Sequence, residues 1–502
     1  LSQAEVEGLE RTPGGVADVW PLSPVQEGMV FHALYDEQAV DVYTGQFGFD
    51  LVGSLDVEAL RRACQALVER HASLRAGFRV LESGTTVQVI ADRVEIPWRE
   101  EDLSALNSTD QDAELARILD EERAKRFDLE NPPLLRLAVI RLGQDKWRVA
   151  LTNHHIILDG WSLPLLFQEI FAAYLSDGAD KSLRRVAPYR DYVEWLAGRD
   201  RGEAEAAWAG ALEGVSETTR LVPDAGSRSP GMPEHVVVGL SRERTAELEA
   251  WARGRGLTLN TVVQGVWALV LGGLTGRDDV VFGATVSGRP PEVSGVESMV
   301  GLFINTLPVR VRLHPGLSLE ELLGRVQAEQ VGLMAHQHLG LADIQRIAGV
   351  GDLFDTLTVF ENYPVDSDAL AIAKDMRVTP APGKDATHYP LSVAAMVSDG
   401  SLGLHLGYAT DLFDVSEVEA IGARCLRVLE TVLTDPGLPI GRVQVLSDSE
   451  RRLLLEEWND TARPVPAQTI PELFEAQAVR VPDSVAVVDG EVSLTYGEVN
   501  ER

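Results

Sequence analysis

Apolar and polar residues repeat along this chain with two different periods, which predicts a mixture of helices and strands. Between Val57 and Leu74 the apolar residues recur three and four positions apart, and Asp56 precedes them as a candidate N-cap. Trp147, Val149 and Leu151 instead alternate with polar or small residues, the pattern of a half-buried strand. The segment Ser162–Leu175 is apolar on most faces, which predicts a buried helix.

The second half of the chain repeats this mixture after a stretch rich in Pro, Gly and Ser, Gly214–Glu234, which predicts a linker. Further helices and strands are expected in this half, with helices near 241–255, 259–272 and 416–433 and strands at 280–286, 304–313 and 402–408. A charged stretch, Ser447–Trp458, then leads to a third, incomplete segment from about Gln468. The pattern therefore predicts two α/β halves with mixed sheets, followed by the beginning of another domain.

Composition narrows the class of protein. Of the 502 residues, 45% are hydrophobic and 24% charged, as in an ordinary globular chain. No apolar run approaches the ~18 residues of a membrane span, and the first residues do not resemble a signal peptide, so a cytoplasmic location is expected. The net charge of −32 argues against binding to nucleic acid or to anionic membranes. Cys64 and Cys425 are too few for a disulfide framework and fall on apolar helix stripes, so we expect them in the core.

One short segment carries candidate chemistry. Two adjacent histidines, His154 and His155, follow the predicted strand, and Asp159 and Gly160 come directly before the buried helix. Because neighbouring residues at a strand end point to opposite faces, only one imidazole can face a given cleft. For the same reason the two histidines cannot easily share a metal ion. From these residues alone, a pair of core histidines beside an N-cap aspartate remains an alternative to a reactive site.

The pattern HHxxxDG resembles the signature of condensation domains of nonribosomal peptide synthetases, which have the chloramphenicol-acetyltransferase-like fold. Other segments resemble the remaining motifs of this family and follow in the family's order, from about residue 18 to 445. They are Pro21–Met29, Arg70–Phe78, Tyr189–Trp195, Val300–Thr306 with Arg310, His336–His338 as a looser match, and Phe354–Asn362.

The resemblance implies two lobes arranged in a V with the active site between them. The N-terminal lobe is expected at about 18–185 and the C-terminal lobe at about 236–445, with an inter-lobe linker at about 186–235. Residues 1–17 are expected to be a linker from a preceding carrier domain. Residues 446–502 are expected to contain a linker and the beginning of an adenylation domain. Leu494–Val499 resembles the first adenylation motif and Trp458–Thr461 the linker before it.

In this family a donor acyl group, held as a thioester on a phosphopantetheine arm, is transferred to the amine of an acceptor on a second arm. The resemblance implies that His155 accepts a proton from this amine or aligns it, and that His154 is structural. Asp159 is expected to pair with Arg289 and brace the motif loop. Gly160 is expected to place backbone near the reacting carbonyl. The supporting residues are expected to be Trp161 and Ser162 in the motif and Asn362 in the cleft.

The resemblance implies no intrinsic cofactor, metal or nucleotide for this step. The expected partners are the upstream donor and downstream acceptor carrier domains and the adjoining adenylation domain, and the fragment itself is expected to be monomeric. No nucleic acid or membrane partner is expected.

Pro21–Met29 resembles the subtype that takes a D-configured donor and an L-acceptor. Three alternatives remain: an epimerization-type relative, a non-catalytic scaffold that docks carriers or tailoring enzymes, and a free-standing acyltransferase that uses coenzyme A. The Glu-Gly-His-Gly-Arg motif of epimerization domains is absent from the sequence, and the histidine motif is undamaged.

Overall fold

The structure is a computed structural model that describes residues 2–10, 14–35, 41–176, 185–223, 231–362, 376–464 and 467–502. The chain forms two compact units, residues 1–445 and residues 446–502. The candidate site lies entirely in the first unit, and the second unit is described separately below.

Helices and strands alternate through the described residues. The α-helices are α1 (Gln3–Glu10), α2 (Pro24–Tyr35), α3 (Val57–Arg70), α4 (Ser108–Ala124), α5 (Ser162–Leu175), α6 (Tyr189–Ala197), α7 (Arg201–Ala211), α8 (Arg242–Arg253), α9 (Leu259–Thr275), α10 (Leu319–Leu333), α11 (Leu341–Ala348), α12 (Val415–Thr434), α13 (Asp448–Arg452), α14 (Ile470–Arg480) and α15 (Tyr496–Glu501). The strands are β1 (Val16–Pro21), β2 (Thr44–Val52), β3 (Ala76–Val80), β4 (Thr86–Ala91), β5 (Trp98–Asp102), β6 (Leu135–Gly143), β7 (Lys146–His154), β8 (Glu234–Gly239), β9 (Asp279–Val286), β10 (Asn305–Arg312), β11 (Thr356–Glu361), β12 (Arg377–Lys384), β13 (Leu391–Ser398), β14 (Ser401–Tyr408), β15 (Val485–Asp489) and β16 (Val492–Thr495).

A five-stranded sheet organises the N-terminal half, in the order β12-β2-β7-β6-β5. Its apolar side chains form a core with residues of α3 and α5. Asp56 caps α3 as predicted, since its side chain accepts the Ala59 N–H at 2.9 Å. The helix ends at Arg70, earlier than predicted, because His71 is extended and a short 3₁₀ turn, Ala72–Arg75, follows.

A six-stranded sheet organises the C-terminal half, in the order β10-β9-β11-β13-β14-β8. Helix α9 is buried along most of its length, and the apolar stripe of α12 packs into the same core. Cys425 lies on this stripe and is buried, and Cys64 is buried on α3, as the sequence predicts. Together the sheets confirm the predicted mixed α/β fold class.

The C-terminal half contributes structure to the N-terminal half. Strand β12 falls in the range expected for the C-terminal lobe, but it pairs antiparallel with β2 of the N-terminal sheet, from Arg377 opposite Val52 to Lys384 opposite Gln46. The segment from Val293 to Phe303 likewise packs into the N-terminal core. A single cut in sequence between residues 186 and 235 therefore does not separate the two sheets.

The ranges predicted as linkers contain regular structure. Residues 1–17 include α1 and the start of β1, which belongs to a small sheet of order β1-β4-β3. The range 186–235 contains α6 and α7, whose apolar residues are buried because the helices pack on the neighbouring halves. Trp208 of α7 is 1% exposed, and its Nε1–H donates to the His336 carbonyl oxygen at 3.0 Å.

The second unit, residues 446–502, contains α13, a π-helical turn (Leu453–Glu457), α14, the hairpin β15–β16 and α15. A capping box between Thr469 and Glu472 begins α14, and the Phe474 ring lies 5.6 Å from the Tyr496 ring of α15. Across the described parts of both units, no helix has both the length and the apolar character needed to cross a bilayer.

We predict that Trp208→Ala lowers the free energy of unfolding by about 3–5 kcal/mol, since it leaves a large cavity and an unpaired carbonyl. Urea denaturation of the purified chain measures this change. Trp458→Ala is the control, because Trp458 is 66% exposed, and we expect it to stay within about 0.5 kcal/mol of wild type. A comparably small effect at Trp208 would contradict the contribution of this buried side chain to stability.

Candidate active site

The two motif histidines lie where β7 ends. Strand β7 pairs with β2, so that His154 stands opposite Thr44. The His155 N–H donates to the Tyr43 carbonyl oxygen at 2.8 Å, and a 3₁₀ turn then carries the chain to Leu158. As predicted from their adjacency, the side chains differ in environment: His154 is 0% exposed, whereas His155 is 12% exposed.

His154 braces the turn. Its Nδ1 accepts the Ile156 N–H at 3.1 Å, and its Nε2 lies 3.3 Å from Asp41 Oδ2. Burial acts to raise the pKa of Asp41, but His154, helped by Tyr43 and Thr44, outweighs burial and lowers that pKa to about 2. Asp41 is therefore ionised and holds the buried ring, which supports the structural role expected for His154.

His155 faces a carboxylate that comes from the other half of the chain. Its Nε2 lies 2.9 Å from Asp385 Oδ1, in the segment directly after β12. Burial acts to lower the pKa of His155, but the charge and hydrogen bond of Asp385 outweigh it, so the pKa is raised above its ordinary value. Burial conversely acts to raise the pKa of Asp385, and His155 lowers it overall.

The packing around His155 depends on a glycine in β2. A Cβ atom on Gly45 would lie 3.2 Å from His155 Nε2 and 2.8 Å from the ring of Phe47. The Phe47 ring meets the imidazole edge-on, with centroids 6.3 Å apart. The absence of a side chain at Gly45 therefore lets Phe47 and His155 pack closely against β2, and Phe47 limits the tilt of the imidazole ring.

The predicted pair between Asp159 and Arg289 is present and buried. Asp159 is 0% exposed and Arg289 3%, and Arg289 Nη2 lies 3.1 Å from Asp159 Oδ1. Burial lowers the pKa of Arg289 despite the neighbouring carboxylate. The guanidinium also donates to the carbonyl oxygens of Val296 and Met299 at 2.5 and 2.9 Å and lies 3.9 Å from the centre of the Phe303 ring.

Asp159 also joins the motif loop to the segment 301–303. Its Oδ2 accepts the Phe303 N–H at 3.1 Å, and its own N–H donates to the Gly301 carbonyl oxygen at 3.1 Å. Its Oδ1 accepts the N–H of Ser162 at 2.9 Å at the start of α5, and Ser162 Oγ accepts the Gly301 N–H at 3.1 Å. Removing Asp159 would therefore leave several buried donors without an acceptor.

Gly288, next to Arg289, is required by this arrangement. It has φ +58°, and a Cβ atom there would lie 1.8 Å from the Phe303 carbonyl oxygen. A larger residue would push the guanidinium away from Asp159 or distort the loop.

The other predicted residues lie around this network. Trp161 Nε1–H donates to the Glu297 carbonyl oxygen at 3.0 Å, and Gly160 is half-buried in the turn before α5. Asn362 is exposed directly after β11. No described contact joins Asn362 to His155, so its place in the site stays a prediction. The preceding Glu361 has a pKa raised by burial and by the charge of Asp385. This end of β11 therefore lies close enough to the site to feel that charge.

Three further predicted motifs hold the same loops through polar side chains. Gln26 donates to the Ile156 carbonyl oxygen at 3.0 Å, Ser73 to that of Val300 at 2.7 Å, and Tyr189 to that of Leu302 at 2.5 Å. Each motif therefore supports either the histidine turn or the segment bound by Asp159.

The sequence reasoning missed Asp41, Gly45 and Asp385. Asp385 is 230 residues from His155 in sequence, and the pairing of β12 with β2 brings them together. No local spacing could have identified it. A group of aromatic rings was also missed: Tyr43 Oη lies 3.0 Å from His388 Nδ1, and the His388 ring stacks on His32 at 5.1 Å. Among the described residues, no group of three His, Cys, Asp or Glu is arranged to hold a metal ion.

Comparison with known families decides the identity. Residues 16–455 match the family model described as the condensation domain. The chain belongs to the condensation-domain family. The resemblance noted in the sequence is thus confirmed for the condensation domain of a nonribosomal peptide synthetase.

Among curated relatives, the whole chain is 38% identical to a part of a linear gramicidin synthase polypeptide of Brevibacillus parabrevis. It is also 33% identical, over 97% of its length, to a part of bacitracin synthase 3 of Bacillus licheniformis. The chain spans only 7% and 8% of these two relatives.

Solved structures share the fold. The first condensation domain of the calcium-dependent antibiotic synthetase, in complex with a substrate analogue, aligns with 86% of this chain and 100% of its own at TM-score 0.72 and 22% identity. A complex of the X-domain and OxyB from teicoplanin biosynthesis aligns with 88% of this chain and 98% of its own at TM-score 0.71 and 24% identity. These likenesses establish the fold and leave the activity to the site residues.

We predict that Asp159→Ala lowers the free energy of unfolding by about 3–5 kcal/mol, because Arg289 keeps its buried charge without a partner. Urea denaturation measures the loss. The matched control is Asp50→Ala, which breaks the pair between Asp50 Oδ1 and Arg148 Nε at 2.6 Å. That carboxylate is 37% exposed, so about 1 kcal/mol or less is expected. Equal losses in both variants would contradict a special role for the buried pair.

Proposed function

We propose that this chain forms peptide bonds, transferring a carrier-bound donor acyl group from its thioester to the amine of a carrier-bound acceptor amino acid. The observation that carries the proposal is the position of His155. Its Nε2 lies 2.9 Å from Asp385 Oδ1, a carboxylate that is 52% exposed, while His154 and Asp159 hold the turn from behind. This arrangement presents one imidazole nitrogen to a substrate and fixes the rest of the motif.

A thioester reacts readily with a neutral amine, so the domain has two tasks. It must bring two tethered arms together, and it must manage the protons of an α-amino group whose pKa is about 7.7–8.0. His155 is suited to the second task, because its raised pKa lies closer to the pKa of the amine than that of an ordinary imidazole does. Whether His155 removes a proton or only aligns the amine, its Nε2 is the atom involved.

The substrates arrive on phosphopantetheine arms of an upstream donor carrier and a downstream acceptor carrier, and an adenylation domain supplies the acceptor. Residues 446–502 would be the linker and the beginning of that adenylation domain. These partners rest on the family and on the motif-like segments Trp458–Thr461 and Leu494–Val499. The intact histidine motif favours catalysis over a scaffold that only docks carriers or tailoring enzymes.

His155→Ala is expected to reduce condensation product to below about 1% of wild type, the lower range expected for losing a general base. The assay uses two chemically loaded carriers and mass spectrometry of the carrier-bound product. His314→Ala, at an exposed histidine after β10, is the control and should keep wild-type activity. Carrier binding should survive in both variants, and product at the wild-type rate from the His155 variant would refute the role of this residue.

The donor subtype is a separate prediction, based on Pro21–Met29. We expect a donor that ends in a D-residue to give at least about ten times more product than its L-epimer, a difference of about 1.4 kcal/mol in the transition state. The same loaded-carrier assay measures both donors against one L-acceptor. Equal product from the two epimers would reject the subtype and leave peptide-bond formation unaffected.

A further inference from the structure

We propose that Asp385 binds the α-ammonium group of the acceptor amino acid, next to His155 Nε2. This inference rests on the proposed function and adds a binding residue that the motifs do not contain. The ligand class is a primary ammonium, and the subsite consists of one carboxylate and one imidazole nitrogen 2.9 Å apart.

The ring nitrogen that Asp385 contacts is the first reason. In catalytic triads the carboxylate binds the imidazole nitrogen that points away from the substrate and orients the ring from behind. In this chain two groups raise the pKa of the His155 imidazole by hydrogen bonding: the Asp385 side chain and, from the motif turn, the backbone of Leu158. Asp385 instead meets Nε2, the other ring nitrogen, and its own side chain is partly open to solvent. The carboxylate therefore stands on the side of the ring that solvent, and hence a substrate, can reach.

The exposure of Asp385 is the second reason. Its side chain is 52% exposed, although it contacts an imidazole that is only 12% exposed. One oxygen, Oδ1, accepts the Ala386 N–H at 2.7 Å and meets His155. A carboxylate that only oriented a buried ring would not need so much accessible surface. The exposed part is available to a cation that enters beside His155.

The surrounding charges favour an ionised carboxylate at this point. Burial acts to raise the pKa of Asp385, while His155, the Ala386 N–H and Arg123 outweigh it and lower that pKa. The other charged groups that face the pair are Asp159 behind His155 and Glu361 at the end of β11. An ammonium would gain a charge-assisted hydrogen bond to Asp385, the strongest kind available to it.

This arrangement accounts for all three protons of the ammonium group during the reaction. The ammonium replaces the imidazole as partner of Asp385, and His155 releases its own Nε2 proton to solvent. One of the three ammonium protons then passes to Nε2 of the neutral imidazole. The amine then attacks the thioester carbon, the new C–N bond forms and the C–S bond breaks. His155 returns its proton to the leaving thiolate, Asp385 carries the second proton to solvent, and the third stays on the amide nitrogen.

A binding experiment tests the subsite without turnover. The probes are the alanyl and propionyl amides of the pantetheine analogue in which an amine replaces the thiol; they differ only in the ammonium group and carry no cleavable thioester. Ligand-observed NMR titration at pH 7 gives both dissociation constants. We expect wild type to bind the alanyl amide at least about tenfold more tightly, as a hydrogen bond to a charged group allows.

In Asp385→Asn the preference should fall to within about twofold, with binding of the propionyl amide unchanged, which also shows that the variant is folded. Asp145→Asn is the matched control, since Asp145 is an exposed aspartate in the turn before β7, at the end of the same sheet remote from His155. It should keep the wild-type preference.

No preference in wild type, or an undiminished preference in Asp385→Asn, would overturn the proposal. The loaded-carrier assay on wild type separates this result from the fate of the proposed function. If wild type forms product but the Asp385 variant keeps its preference for the alanyl amide, only the proposed subsite is refuted. If wild type forms no product, the proposed function is refuted.

Discussion

The buried pair between Asp159 and Arg289 is the interaction on which the rest of the site depends. It joins the loop after β7 to the segment that leads from β9 to β10, and both charges are almost completely removed from water. Such a pair contributes little net stability by itself, because desolvation offsets most of the attraction. What the pair contributes here is the fixed position of the groups around it. The same carboxylate accepts the Phe303 N–H and the first N–H of α5, so one residue aligns the helix, the histidine turn and the neighbouring half of the chain.

The sequence predicted the regular elements well where burial follows a simple period. Helix α5 begins and ends at the predicted residues, α12 is one residue longer than predicted at each end, and β14 is one residue longer at its start. The failures have physical causes. Helix α3 ended early because His71 takes an extended conformation, which periodicity does not register. The inter-lobe linker at about 186–235 stays a prediction; the helices α6 and α7 within it were not predicted, because their burial depends on partners distant in sequence.

The same distinction separates the predicted and missed parts of the site. The motif residues are close in sequence, and Arg289 could be added because the family resemblance implies its pairing. Asp41 and Asp385 reach the two histidines only through the pairing of β2 with β7 and with β12. Gly45 is needed because a side chain there would clash with Phe47 and His155, and nothing in its local sequence indicates that close contact. Long-range strand pairing and close packing between distant residues are features that a single sequence does not encode in any local pattern.

The pairing of β12 with the N-terminal sheet has a consequence for protein engineering. A chimeric domain could be designed by joining the N-terminal half of one parent to the C-terminal half of another. In this fold such a crossover near residue 230 would take His155 from one parent and the carboxylate opposite it from the other, although both directly follow strands of one sheet. The hybrid would combine two sets of side chains that were never selected together around a single imidazole. A recombination boundary that respects the sheet would have to transfer residues 377–385 together with the N-terminal half.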